Sequence, residues 1–316
     1  MRQFLRCVCF VALAFAPFTS ETAGATHARD CHKTAVEDLR DSAPDGYAVY
    51  QQVKDKAFFL NWLSCEDGQF SLPTAVHESV HYVTAEEDAF PLVNGGEIKR
   101  PHEVSQFFAP SAIAKKFKSD NDFVATYLKP GRATSSSDFL YLLDELNAYT
   151  HDLNAAIDLK KLRRKDEFVD NRDGLAALMA FVAIYIEKAE ASEPATWDGL
   201  QKPEVAKTVT ELWGHAEKVM AASCGIPRFG MFDKTFIRQY CQPAAQASLQ
   251  TIIGRAPVCP TECLKATDEE EQASANEEQT EAAPPDPSTR TIWSRRNSHR
   301  GNFAGDSESQ EKSTSE

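Results

Sequence analysis

The chain lacks a second long apolar run. After a short one at the N-terminus, from Cys7 to Phe18, no stretch of the 316 residues approaches the roughly 20 apolar residues that a membrane-spanning helix needs. It also lacks a basic surplus. With a formal net charge of −13 at pH 7, the surface is not one that rewards nucleic acid or an anionic bilayer as the main partner. No glycine-rich phosphate loop, dinucleotide fingerprint or internal repeat is present, which removes the common nucleotide-binding and solenoid classes. No cysteine closely follows the small residues Ala23-Gly24-Ala25, so a lipid anchor is not expected there either.

The N-terminal pattern itself is informative. Arg2 and Arg6, the apolar stretch and the small-residue site together read as a secretory signal over residues 1–25, cleaved after Ala25. The expected mature protein is secreted or periplasmic. Eight cysteines are present, and removing the signal takes away Cys7 and Cys9. The even set Cys31, Cys65, Cys224, Cys241, Cys259 and Cys263 remains, compatible with three disulfides whose pairing sequence cannot choose, a local closure such as Cys224 with Cys241 being one guess. Cys259 and Cys263 are spaced too widely for a zinc knuckle or a redox pair, which favours the disulfide reading there.

At the other end, residues 267–316 are rich in Glu, Gln, Ser, Pro and Asn and poor in apolar residues. They read as a disordered acidic tail, with a small basic island at Arg290, Arg295, Arg296 and Arg300 around Trp293. Between signal and tail, residues 26–266 suffice for one substantial domain or two lobes, with a helical C-terminal part from about 170.

The most specific pattern is His77-Glu78-Ser79-Val80-His81. On a helix, side chains at i and i+4 share a face, so both imidazoles can aim at one Zn²⁺, and Glu78 lies one residue round, near a metal-bound water. Zinc lowers the pKa of bound water to about 7, and a neighbouring carboxylate can take its proton during attack on a polarised carbonyl. The local sequence supports a helix: Ser71 and Pro73 suit its start, and Thr74 to Thr84 holds neither glycine nor a further proline. Val76, Val80 and Val83 form an apolar stripe beside the one carrying His77, His81 and Thr84.

A third protein donor is needed. The metzincin pattern would place glycine and histidine where this chain has Thr84 and Glu87, and Glu87 without the glycine turn is a poor ligand. A better candidate is Glu145, within a helix expected from about Ser136 to Leu162, capped by Ser136 or Ser137. Its apolar stripe is Phe139, Leu142, Leu143, Leu146, Leu153, Ala156 and Ile157. Glu145 flanks that stripe, where a half-buried carboxylate calls for a cation or a paired base. The plainer reading makes Asp144 and Glu145 shoulder acids paired with Lys or Arg.

Here the chain resembles the gluzincins, zinc metallopeptidases in which a glutamate on a later helix completes an HExxH site. Their Asn-Glu-x-x-Ala setting is matched by Asp144-Glu145-Leu146-Asn147-Ala148, with Asp in place of Asn. The resemblance covers His77 to Tyr149. It implies His77, His81 and Glu145 as zinc ligands, Glu78 as catalytic base, one zinc per chain, and a small Ala148 that lets the two helices approach. The chain departs from the family in a longer interval between His81 and Glu145 than the thermolysin-like members have, and in lacking a downstream histidine motif for the oxyanion. Tyr149, four residues after Glu145, can offer a phenolic O–H for that role, with His151 and Tyr82 as weaker alternatives. Asp152, on the same face, can orient a ligand histidine.

The remainder reads as mostly helix, at Asp173 to Ala191, Glu204 to Ser223 and Lys234 to Ile253. Phe90 to Ile98 encloses the turn Asn94-Gly95-Gly96 and suggests a hairpin. Tyr47 to Ser64 is apolar enough for a helix end or a core strand, and a strand there could bind substrate backbone along its edge. The resulting expectation is an α+β, predominantly helical, zincin-like domain with an HExxH helix and a later glutamate-bearing helix. Its expected activity is that of an exported zinc metallopeptidase acting on a peptide or protein substrate. Other functions of the same chain are a zinc amidase or deacetylase acting on envelope components, and a non-catalytic exported binding or scaffold protein.

Overall fold

The computed structural model describes residues 22–65, 68–118, 121–164 and 167–265. The expected signal up to residue 21 and the expected disordered tail lie outside the described residues, whereas Ala23 to Ala25 fall in the first turn of a helix. The described helices, in chain order, are α1 (Thr22–Ser42), α2 (Pro44–Gln52), α3 (Lys56–Leu60), α4 (Gly68–Glu87), α5 (Asp122–Tyr127) and α6 (Phe139–Asp158). They continue as α7 (Asn171–Ser192), α8 (Pro194–Leu200), α9 (Pro203–Ser223), α10 (Asp233–Tyr240), α11 (Pro243–Ile253) and α12 (Thr261–Leu264). Among the described residues the strands are β1 (Ala89–Pro91) and β2 (Glu97–Lys99), one antiparallel hairpin with Phe90 opposite Ile98. The protein is therefore predominantly helical with a minimal β component.

Local chemistry explains most element boundaries. Prolines open α2, α8, α9 and α11 at the first turn, where a missing N–H costs nothing. The hairpin turn runs through Asn94, Gly95 and Gly96 at φ values of 68°, 88° and 87°, the left-handed region that those residue types tolerate. Of the two readings open for Tyr47 to Ser64, the helical one holds: the segment forms α2 and α3, and Asp55 caps α3 by accepting the Ala57 N–H. The expected single helix over Lys234 to Ile253 is broken, because Pro243 cannot continue α10 and instead starts α11.

Two helix starts also differ from expectation. Helix α4 begins at Gly68 and runs through Pro73, so Ser71 and Pro73 sit inside it, held by the burial of Leu72, Ala75 and Val76 on either side of the missing hydrogen bond. Helix α6 begins at Phe139, capped by Asp138, whose carboxylate accepts the Leu140 N–H at 2.8 Å; Ser136 lies in a preceding 3₁₀ turn. Aspartate competes well with serine as an N-cap, and here it stands next to the apolar stripe.

The core is in two parts. A large apolar cluster draws on residues from Phe90 to Cys263 around α7, whose Leu175, Leu178, Met179, Phe181, Val182, Ile184, Tyr185 and Ile186 are all buried. A smaller cluster joins Leu39, Ala43, Val49 and Phe59 to Leu72, Ala75, Val76 and Val80 of α4 and to Ala148 and Ala155 of α6. Helix α6 belongs to both, presenting Leu142, Leu143, Leu146 and Leu153 to the large cluster and its alanines to α4. Small residues on that second face allow α4 to pack closely along α6.

Three disulfides close the described chain: Cys31–Cys65, Cys224–Cys263 and Cys241–Cys259. The guessed Cys224–Cys241 closure is thus wrong. Helices α9 and α10 leave those two cysteines facing the segment that follows α11, and each pairs with a cysteine there. Three disulfides indicate an oxidising environment, and no described helix is long and apolar enough to cross a membrane.

Candidate metal centre

Helix periodicity places His77 and His81 on one face of α4, and the close α4–α6 packing brings Glu145 against them. The Nε2 atoms of the two histidines stand 3.2 Å apart, and Glu145 Oε2 lies 3.5 Å from each. A point equidistant from those three atoms lies about 2.0 Å from each in their plane, which matches zinc–nitrogen and zinc–oxygen bond lengths. Two imidazoles and one carboxylate are also a donor set that suits zinc, and this group is the one among the described residues whose ligand atoms converge closely enough to hold a metal ion. The residues fit the ion.

Burial is graded across the group. His77 is buried, Glu145 is 13% exposed and His81 is 24% exposed, so the centre opens to solvent on the His81 side. Glu78, the next residue round α4, is half-buried.

Both Nδ1 atoms face carboxylates of α6. Asp144 Oδ2 lies 2.7 Å from His81 Nδ1, and Asp152 Oδ2 lies 3.8 Å from His77 Nδ1. A carboxylate at Nδ1 favours the tautomer with its proton there and leaves Nε2 free for a metal. Burial alone would push the His81 imidazole down, yet the charges of Asp144 and Glu145, with their hydrogen bonds, hold it well above the ordinary histidine value. A cluster that so favours positive charge on an imidazole also favours a cation among its donors.

The remaining candidates fall elsewhere. Glu87 is exposed, 3.5 Å from Lys54 Nζ, and the Tyr82 ring packs against Phe58. His151 is buried, with Nε2 3.0 Å from the Pro91 carbonyl oxygen, and burial lowers it to about 4, so it is a neutral donor that ties α6 to β1. Tyr149 stands behind the centre: its ring meets the His77 ring edge-on with centroids 4.5 Å apart, and its hydroxyl lies 2.7 Å from that of Tyr127 in the core. With its ring buried and its hydroxyl beside that of Tyr127, Tyr149 serves as a wall for His77.

Asp144 is the functional position that sequence reasoning passed over. Read as a shoulder acid, it is 6% exposed and lies 2.7 Å from Nδ1 of His81, a member of the converging group. The available signal was its place immediately before Glu145 in a motif whose neighbours face α4. Compared with protein-family models, with curated proteins and with solved structures, the chain matches none.

Proposed function

We propose that the chain is an exported zinc-dependent metallohydrolase, most simply a peptidase, and that α4 and α6 form the helix pair of a gluzincin-type, zincin-like centre. The observation that carries this reading is the convergence of His77 Nε2, His81 Nε2 and Glu145 Oε2 at 3.2 to 3.5 Å. Those three residues would hold the ion. When bound, zinc supplies Lewis acidity, polarising a carbonyl and bringing the pKa of water into the neutral range.

The protein's own groups do the rest. Glu78, half-buried in the turn between the two histidines, takes the proton of the attacking water and returns it to the leaving amine. Asp144 keeps His81 in the tautomer that binds through Nε2. The exposed side at His81 is the route by which substrate reaches the centre. Peptide hydrolysis in particular is supported by the HExxH and Asp-Glu-x-x-Ala motifs, and export by the disulfides and the N-terminal pattern.

The test uses purified full chain, elemental analysis and a peptide-library cleavage assay. Wild type is expected to carry about one zinc per chain and to cleave. Glu78→Gln is expected to keep the zinc and to lose about 10²-fold or more in turnover. A native protein that binds no zinc, or a Glu78→Gln variant as fast as wild type, overturns the reading.

A further inference from the structure

His77 is the more deeply buried ligand, and the chain of groups behind it runs through three helices. Its Nδ1 faces Asp152 Oδ2 at 3.8 Å, and Asp152 lies on α6 two helical turns after Glu145, fully buried. The other oxygen, Oδ1, accepts a short hydrogen bond from the Asn171 side-chain amide. Asn171 is the first residue of α7 and is itself 1% exposed.

The two histidines are supported unequally. His81 has a direct 2.7 Å contact with Asp144, whereas the 3.8 Å between His77 and Asp152 is longer than a hydrogen bond. At that range, where Oδ2 stands decides how strongly the carboxylate biases the imidazole. On the far side, Asn171 holds the other oxygen of the carboxylate. A buried carboxylate is held in place only where polar groups engage it, so loss of the amide would let Asp152 turn away from His77.

Asn171 is in turn fixed by its neighbours. Arg172 Nε donates to Asp233 Oδ2 at 2.6 Å and its guanidinium also donates to the Ser223 carbonyl at 2.8 Å. Asp173 accepts the backbone N–H groups of Met231, Phe232 and Asp233 at 2.6 to 2.9 Å. Three consecutive buried polar residues therefore pin the first turn of α7, and the first of them reaches back to the metal centre.

We propose that Asn171 is a positioning residue for the metal centre: through Asp152 it holds the His77 imidazole with Nδ1 toward the carboxylate and Nε2 toward the ion. This rests on the reading that His77, His81 and Glu145 bind zinc. Asn171 touches neither the ion nor substrate. Its effect passes entirely through Asp152, which makes a double-variant test decisive.

Zinc dissociation constants are measured by chelator competition on the full chain for wild type, Asn171→Ala, Asp152→Asn and the double variant, with thermal unfolding of each metal-free protein alongside. Each single variant is expected to bind zinc about 10- to 100-fold more weakly. The double variant is expected to be no weaker than Asp152→Asn alone. Should Asn171→Ala fail to fold, Asn171→Ser, which keeps a shorter donor, is expected to show a smaller loss of affinity in the same direction. An unchanged constant in a folded Asn171 variant, or losses that multiply in the double variant, overturns the inference while leaving the metallohydrolase reading intact. Wild type that binds no zinc overturns both.

Discussion

Asp144 and Glu145 are adjacent in sequence and serve one centre in different ways. Glu145 offers an oxygen to the donor triangle, whereas Asp144 reaches past it to His81 Nδ1. Residue chemistry also sets a pH limit some distance from the candidate metal centre. His151 is lowered to about 4 because burial disfavours its charged form, against the opposing pull of the Pro91 carbonyl, whereas in the unfolded chain it titrates near 6.5. The folded state then binds fewer protons than the unfolded state between those values, so this contribution is complete above pH 6.5 and is lost as pH falls toward 4. Its full size is on the order of 3 kcal/mol. Urea midpoints measured at pH 7 and pH 4.5 should show a larger acid loss for wild type than for His151→Asn, which retains a donor without the titration. Equal losses would remove His151 from the acid sensitivity.

At the scale of elements, α6 and α7 approach closely where Gly174 meets Tyr149. A Cβ at position 174 would fall among the carbons of the Tyr149 ring, and that ring is the wall behind His77. Gly174→Ala should therefore destabilise the fold by about 1 to 3 kcal/mol in urea unfolding, with part recovered by Tyr149→Leu in the same background. An unchanged midpoint would mean that the two helices are free to separate. Glycine here reports a close approach, and nothing in its sequence neighbourhood announces one. What the sequence did announce was periodicity: the wide apolar arc of α7, the stripe of α6 and the Asn-Gly-Gly turn all appear where expected. What it missed were boundaries and partners. Pro73 reads as a helix start, yet it is carried inside α4 by burial on both sides, and periodicity could not choose between helix and strand over Tyr47 to Ser64, which forms α2 and α3. The convergence of His77, His81 and Glu145 was legible in part, because the i, i+4 spacing of the histidines puts both on one face of a helix. Asn171 was not, since its partner is 19 positions away and the contact exists only once α6 and α7 pack.

On the scale of the whole molecule, the centre lies where the two apolar clusters meet, and they differ in how much they bury. The large cluster is built around α7, and two disulfides, Cys224–Cys263 and Cys241–Cys259, tie its C-terminal helices together. The small one backs α4 through Val76 and Val80, the apolar stripe beside the histidines, and its outer layer among the described residues comes mainly from α1, α2 and α3. Cys31–Cys65 closes that layer, joining α1 to the segment just before α4 across a separation of 34 residues. Loop-closure entropy for a crosslink of that span is worth about 3 to 4 kcal/mol, a large share of what a small cluster can hold. Replacing both cysteines by serine should lower stability by that amount, and hydrogen exchange should quicken in α2, α3 and the first turns of α4 while α7 and α9 stay protected. Because Val76 and Val80 lean on the loosened layer, zinc bound at His77 and His81 should dissociate faster in the same variant. Exchange that rises equally in every helix would instead show that the two clusters open as one unit, and the N-terminal layer would then have no separate hold on the metal centre.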